Sequence, residues 1–405
     1  MKGFYLTTLA TALFSVSAVA QNSAPIKIVA PVDLSGAAAD VGRDALAGTQ
    51  FAIEKINREG GVLGRQIVLE HQDSGSNPQR AVNQATALVR DHKASLLMAP
   101  QSSATALAVS KAVTSKLKVP TCIGTSVAED ITIKDFNPYV YSVTPNANME
   151  GRAQAERYAT LPYKRYALVS ADYAGGRSLL EGFKKALKER NPNVEFVVEE
   201  FPKFGAADYT PSINKLLAAK PDYVFTTLFG NDLVTFSKQA TAVGFFKQIN
   251  NRFGALYDFN TLKTMADQAP VGTDGVQRAP ANYLSKTNPE AAAFINDFKA
   301  KKGGYPSDWT IMTYDCVTTW AQAVNNAKSL AADDVMQAIK SLRFNSSRGP
   351  YRIGSYDHQA EVPVYFGKVA QSKEFGQPVL EIEVVVPASK SRPSEAEVMR
   401  LRSGK

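Results

Sequence analysis

The sequence predicts an α/β protein of two doubly wound lobes, joined by a hinge and facing each other across a cleft. Three observations carry that expectation. From residue 26 onward, short β-branched or apolar runs alternate with helix-length segments, the pattern of a parallel sheet covered by helices on both faces. The alternation restarts after Val143-Thr144-Pro145, giving a second set of similar size. Three helical segments then follow with no strand between them, and two strand-like runs come after. Such an order has the chain crossing between lobes more than once, which makes a hinge.

The first set opens with Ile26 to Val32, a strand by its β-branched content. The polar turn Asp33-Leu34-Ser35-Gly36 leads to a helix from about Gly42 to Asn57, with Leu46, Ile53 and Ile56 on one face. Gly60-Gly61 stops it. Arg65 to Glu70 is the second strand, and Asn77-Pro78 supplies an N-cap and a first-position proline to a helix ending near Asp91. Ala94 to Ala99 is the third strand. It runs through Pro100-Gln101-Ser102-Ser103-Ala104-Thr105 into a helix reaching about Leu117. Unpaired N–H groups and partial positive charge make a helix start an anion site. Two serine hydroxyls there suit a carboxylate, while N-capping is the other use of the same serines. Val119 to Gly124 is the fourth strand, ending in Thr125-Ser126.

The second set has strands at Tyr166 to Ser170, Val194 to Glu199, Asp222 to Phe229, Arg252 to Leu256 and Gly275 to Ala279. Helices follow the turn Asp172-Tyr173-Ala174-Gly175-Gly176, run from Thr210 to Ala219 and from Asn231 to Val243, and begin after Asn260. The late helices are Pro289 to Lys302, Trp309 to Ala327 and Asp333 to Leu342, and the late strands Val362 to Val369 and Val379 to Val386. The expected lobes are therefore residues 25–144 plus 280–355 and residues 145–279 plus 356–388, with 389–405 a loose charged tail. Ligands of open α/β sheets sit beyond the carboxyl ends of the strands, and two such lobes can close on one.

Composition narrows the function. Lys2, the apolar stretch Phe4 to Val16 and Ala18-Val19-Ala20 read as a secretory signal peptide cleaved near Ala20, so the mature chain is expected in the periplasm. No later run reaches the roughly 18 apolar residues of a membrane span, and no cysteine follows the cleavage site to carry a lipid. The two cysteines are Cys122 and Cys316. An oxidising compartment permits a bridge, but two buried thiols in a core are the favoured reading, and pairing stays open. The net charge of +8 is spread along the chain, without the basic stripe and interleaved aromatics of a nucleic-acid binder. A mild positive field suits small anions. His71, His92 and His358 are scattered, and neither a metal cluster nor a nucleophile motif appears. No enzyme and no cofactor is expected.

With these pieces in order, the chain resembles the periplasmic binding proteins of the branched-chain amino acid transporter family. The resemblance rests on Ile26 to Gly36, the run Ile53-Glu54-Lys55-Ile56-Asn57-Arg58-Glu59-Gly60-Gly61-Val62-Leu63-Gly64, Asp73 with Asn77-Pro78, and Gln101 to Thr105. It implies the type I periplasmic binding fold and a monomer that closes on a small carboxylate-bearing solute. The solute would be a hydrophobic or branched-chain amino acid or an aromatic carboxylate, passed to an ABC permease and its ATPase. A periplasmic sensor feeding a signalling receptor is the alternative. The resemblance also implies that Ser102 and Ser126 hold the carboxylate, flanked by Ser103 and Thr125, and that the Gly124 carbonyl receives an ammonium. The acid pairing with that ammonium would lie near Leu256-Tyr257-Asp258, with Asp258 the candidate and Tyr257 beside it. The chain departs from the leucine-type pattern at three places. Val41 replaces a tyrosine, the 172–175 turn has glycine in place of another and leaves Tyr173 as substitute, and Phe229 stands where a tyrosine lines the second lobe. The family's small disulfide has no cysteines here. These departures favour an acid bulkier or more apolar than leucine, an aromatic one among them.

Overall fold

The computed structural model describes residues 24–404, so the expected signal peptide lies outside the described residues. Strands β1 (Ile26–Val32), β2 (Ile67–Asp73), β3 (Leu96–Met98), β4 (Thr121–Ile123) and β5 (Val140–Ser142) form one all-parallel sheet in the order β2-β1-β3-β4-β5. β1 is buried at every position except the half-buried Lys27, as an interior strand covered on both faces must be. The second sheet holds β6 (Arg165–Val169), β7 (Glu195–Glu200), β8 (Tyr223–Thr226), β9 (Phe253–Leu256) and β10 (Asp274–Gln277). After a short ribbon of β11 (Arg343–Phe344) and β12 (Tyr351–Arg352), β13 (Val364–Ser372) and β14 (Gln377–Val386) complete it. Its order is β14-β13-β10-β9-β8-β6-β7, parallel except for the last two strands in sequence.

Both sheets share one winding. In each, the first strand lies between the second and the third, so the strand order reverses beside it: between β1 and β3 in one lobe, between β6 and β8 in the other. Such switch points open a crevice at the carboxyl ends of the strands. The late helices return to the first lobe, where Phe51 packs edge-on against Phe294 and Phe298 with centroids 5.6 and 5.1 Å apart. A buried ion pair steadies the crossing after β5: Arg348 Nε donates to Asp315 Oδ2 at 2.8 Å and Nη2 to the Val143 carbonyl at 2.7 Å.

Three local features differ from the sequence reading. Cys122 and Cys316 are disulfide-bonded, with Cα atoms 5.9 Å apart across 194 residues, because the helix Asp308–Ala327 folds back over β4. The tail is not loose: helix Glu395–Arg402 is capped by Ser394. Its Glu397 pairs with Arg152, and Arg402 donates to the Thr132 and Ile133 carbonyls at 3.0 and 3.1 Å. The helix Ala147–Tyr158 has no counterpart in the sequence reading. Its buried face is mostly small or polar, with Asn148, Glu150, Gly151 and Gln154 among the hidden residues, so it shows no apolar stripe at helical spacing.

Candidate ligand-binding cleft

The two switch points face each other and enclose a cavity. From the first lobe it is lined by Ala38, Val41, Gln101, Ser102, Ser103, Thr125 and Val127, and from the second by Tyr173, Leu179, Phe204, Thr227, Phe229 and Leu256; Arg278 and Trp309 complete it. The lobes touch here: a Cβ added at Gly175 would lie 2.6 Å from Ser103 Oγ. The space is narrow, about 30 Å³, room for roughly two waters. A solute of several heavy atoms therefore requires the lobes to part or the rings to swing. A larger groove of about 750 Å³ runs between Ile56 and Asn345, but it is open to solvent and away from both switch points.

The first-lobe wall is a braced loop. Asp33, at the end of β1, is fully buried. Its Oδ2 accepts from Ser102 N at 2.8 Å and from the Thr105 hydroxyl at 3.4 Å, and its own N–H donates to Gln101 Oε1 at 2.7 Å. Burial pushes the Asp33 carboxyl up while the hydrogen bonds from Ser74 and the backbone oppose it. Ser102 caps the helix through Thr105 N at 3.5 Å. Ser103 Oγ accepts from Val127 N and Ala128 N, both at 3.3 Å. Each serine oxygen thus acts as acceptor toward the chain and keeps its O–H available to donate. Ser126 does not share that freedom. Its hydroxyl donates to the Pro100 and Gln101 carbonyls at 3.2 and 3.0 Å, and it is absent from the cavity lining. Thr125 lines the cavity while its hydroxyl donates to the Gln101 carbonyl at 3.3 Å. Gly124 is set back from the cavity: a Cβ there would meet Thr313 and Cys316 on the helix behind.

The second-lobe wall is aromatic. Tyr173 stacks on Phe204 with centroids 4.8 Å apart, Phe229 lies 5.8 Å from each, and Trp309 is 6.1 Å from Phe229. Burial pushes the Tyr173 phenol up. Two expected residues fall outside this wall: alternation turns Tyr257 away from the face Leu256 takes, and β9 has ended before Asp258, which starts the next helix. Leu256, not Tyr257, faces the cavity. Tyr257 points into the core, its hydroxyl 3.2 Å from Thr273 Oγ1. Asp258 is the N-cap of the helix Phe259–Met265, taking the N–H groups of Asn260 and Thr261 on Oδ1 and the Thr261 hydroxyl on Oδ2. It lines a neighbouring groove with Asp40 and Asp44 instead.

Sequence reasoning missed Arg278. It follows β10 on a crossing segment, its backbone N–H and that of Ala279 held by Asp308 Oδ2 at 2.6 and 2.9 Å. Its guanidinium donates through Nε and Nη2 to Glu150 Oε2 at 3.0 and 2.7 Å and lies 4.9 Å from the Trp309 ring. A lone arginine inside Val276-Gln277-Arg278-Ala279-Pro280 was the available signal. Among the described residues no group of His, Cys, Asp and Glu side chains could hold a metal ion, and no helix is long and apolar enough to cross a membrane.

Two βα lobes that close at their switch points over a donor-bearing wall and an aromatic one define a solute-binding protein. The chain belongs to the periplasmic binding protein family, whose profile matches residues 25–374, and it has the type I fold of that family. That family binds solutes and does not transform them, and it is periplasmic. Leu/Ile/Val-binding protein homolog 4 of Brucella abortus is 25% identical over 387 residues, covering 92% of this chain and 90% of its own. Among solved structures, an ABC-transporter solute-binding protein of Rhodopseudomonas palustris BisB5 in complex with 3,4-dihydroxybenzoic acid has a TM-score of 0.81 at 22% identity, covering 91% of this chain and 99% of its own. A second R. palustris solute-binding protein, in complex with benzoate, scores 0.79 at 21% identity, covering 90% and 96%. The closed leucine-, isoleucine-, valine-, threonine- and alanine-binding protein of Brucella ovis scores 0.77 at 22% identity, covering 92% and 97%.

Proposed function

We propose that this chain captures an amine-free aromatic carboxylate between its lobes and delivers it, as a periplasmic monomer, to an ABC permease and its ATPase. The observation that carries the reading is the charge lining the cavity. Leu256 lies on the stretch where the ammonium's acidic partner was expected, and the ionic side chain in the lining is Arg278. Arg278 is balanced by Glu150, so the lining holds no acid for an ammonium, and an ammonium buried without a partner costs several kcal/mol; an α-amino acid is a poor occupant. The free O–H groups of Ser102 and Ser103 at a helix start suit a carboxylate, with Thr125 alongside. The rings of Tyr173, Phe204, Phe229 and Trp309 suit a planar apolar body. Similar folds that hold benzoate and 3,4-dihydroxybenzoic acid support the same class.

A thermal-shift panel on the mature protein tests the reading. A ligand at a hundred times its dissociation constant adds about 2.7 kcal/mol. Benzoate-class acids are expected to raise the melting temperature, while leucine, isoleucine and valine leave it unmoved. Stabilisation by the amino acids alone would contradict the proposal.

A further inference from the structure

We propose that the solute carries a second, neutral oxygen at the end remote from its carboxylate, and that Arg278 recognises it. This rests on the cleft being the carboxylate site. Arg278 is 2% exposed and lines the cavity. Its Nε–Nη2 fork is spent on one oxygen of Glu150, and Nη1, which projects away from that fork, has no hydrogen-bond partner among the described residues. Buried donors are almost always paired, so an idle one on a residue that lines a ligand cavity marks where the ligand completes the bonding once the lobes part.

Location decides the case. Arg348 also has an idle Nη1, but it lies beside Tyr283 and Pro350, outside the cleft. Arg278 instead ends a row of contacts that begins at the serines. The backbone at Gly175 abuts both Ser103 Oγ and the Tyr173 ring; Tyr173 meets Phe229, Phe229 meets Trp309, and Trp309 meets the guanidinium. A planar acid anchored on the serines would run along those rings and present its far end to Arg278. The far group is neutral because Glu150 already balances the guanidinium, and Glu150 Oε1, itself without a partner, would repel a second carboxylate. A hydroxyl or keto oxygen accepts from Nη1 without that penalty.

Calorimetric titration of the mature protein with benzoate, 3- and 4-hydroxybenzoate and terephthalate tests this. A hydrogen bond to a charged donor is worth about tenfold or more in affinity. One hydroxybenzoate is expected to bind at least about tenfold tighter than benzoate, and terephthalate no tighter than benzoate. In the apolar pair Glu150→Leu with Arg278→Met, which leaves no donor at that place, the hydroxyl advantage, read as the ratio of hydroxybenzoate to benzoate affinity in the same variant, should shrink to within about twofold. If that pair does not fold, the wild-type series alone decides. Benzoate binding with no gain from either hydroxyl, or a gain that survives in the double variant, overturns the role of Arg278 and leaves the carboxylate reading standing. Failure of every benzoate to bind overturns the carboxylate reading, and this proposal with it.

Discussion

The first lobe meets the cleft with hydroxyls held from behind, whereas the second meets it with rings that touch mainly one another. Behind Ser102 and Ser103 stand Asp33, Gln101 and the hydroxyls of Thr125 and Ser126, and beneath them the Cys122–Cys316 bridge ties β4 to the helix Asp308–Ala327. In the second lobe, the helices Ala174–Arg190 and Gly230–Ala242 start from Tyr173 and Phe229, whose side chains make no capping hydrogen bond. On the proposed function, one wall is fixed chemistry for a carboxylate in any acid. The other is packing, which tolerates change and sorts acids by shape. Anchoring and selectivity thus fall on different lobes and can be broken separately.

The largest effect should come from the fixed wall. Ser102→Ala with Ser103→Ala removes two charge-assisted hydrogen bonds and is expected to cost about 3 kcal/mol or more, over a hundredfold in affinity by titration, for every acid tested. Ser126→Ala, whose hydroxyl serves the backbone, should stay within about threefold. Next, Cys122→Ala with Cys316→Ala opens a long loop and should lower stability by about 2–5 kcal/mol in urea unfolding, leaving the ranking of ligands unchanged. The aromatic wall should respond differently: Phe229→Ala is expected to weaken aromatic acids by about 1–3 kcal/mol and a short aliphatic acid far less. A uniform loss across both would erase the division between the walls.

The last effect lies away from the cleft and concerns stability alone. His358 is buried, its Nδ1 2.9 Å from the Val140 carbonyl and its ring edge-on to Phe136. Burial lowers its pKa from 6.5 to about 4. Between those values the unfolded chain binds more protons than the folded one, so stability from a neutral His358 is lost as pH falls. Wild type should therefore gain on His358→Gln as pH rises from 4 to 6.5, by up to about 1 kcal/mol per pH unit, and hold a constant margin above. Urea midpoints at pH 4, 5.5 and 7 measure it, and ligand preference should not move.

The same division governs what the sequence reveals. The Ser102–Ser103 loop is legible because strand, turn and helix are contiguous, so their junction and its chemistry lie in one stretch. Tyr173 and Phe229 are legible as aromatics just past strand ends. The stretch after β9 is legible only to within a residue, and a one-residue slip exchanges Leu256 for Tyr257 and turns an expected ion-pairing acid, Asp258, into a helix cap. Arg278 reaches the cavity from the crossing segment after β10 and Trp309 from the first turn of the late helix Asp308–Ala327, and nothing local says where either comes to rest. The Cys122–Cys316 bridge was hidden for the same reason, since only the return of a late helix brings the two together.

The most direct measurement compares two ligands that differ by one group, 3-phenylpropionate and phenylalanine, by calorimetric titration at neutral pH. Each offers the serines the same carboxylate and the rings the same phenyl group, and only the second brings an ammonium. A cleft lined by Leu256 and Arg278 predicts that 3-phenylpropionate binds at least about a hundredfold tighter, the several kcal/mol an unpaired buried ammonium costs. Equal or tighter binding of phenylalanine would contradict it.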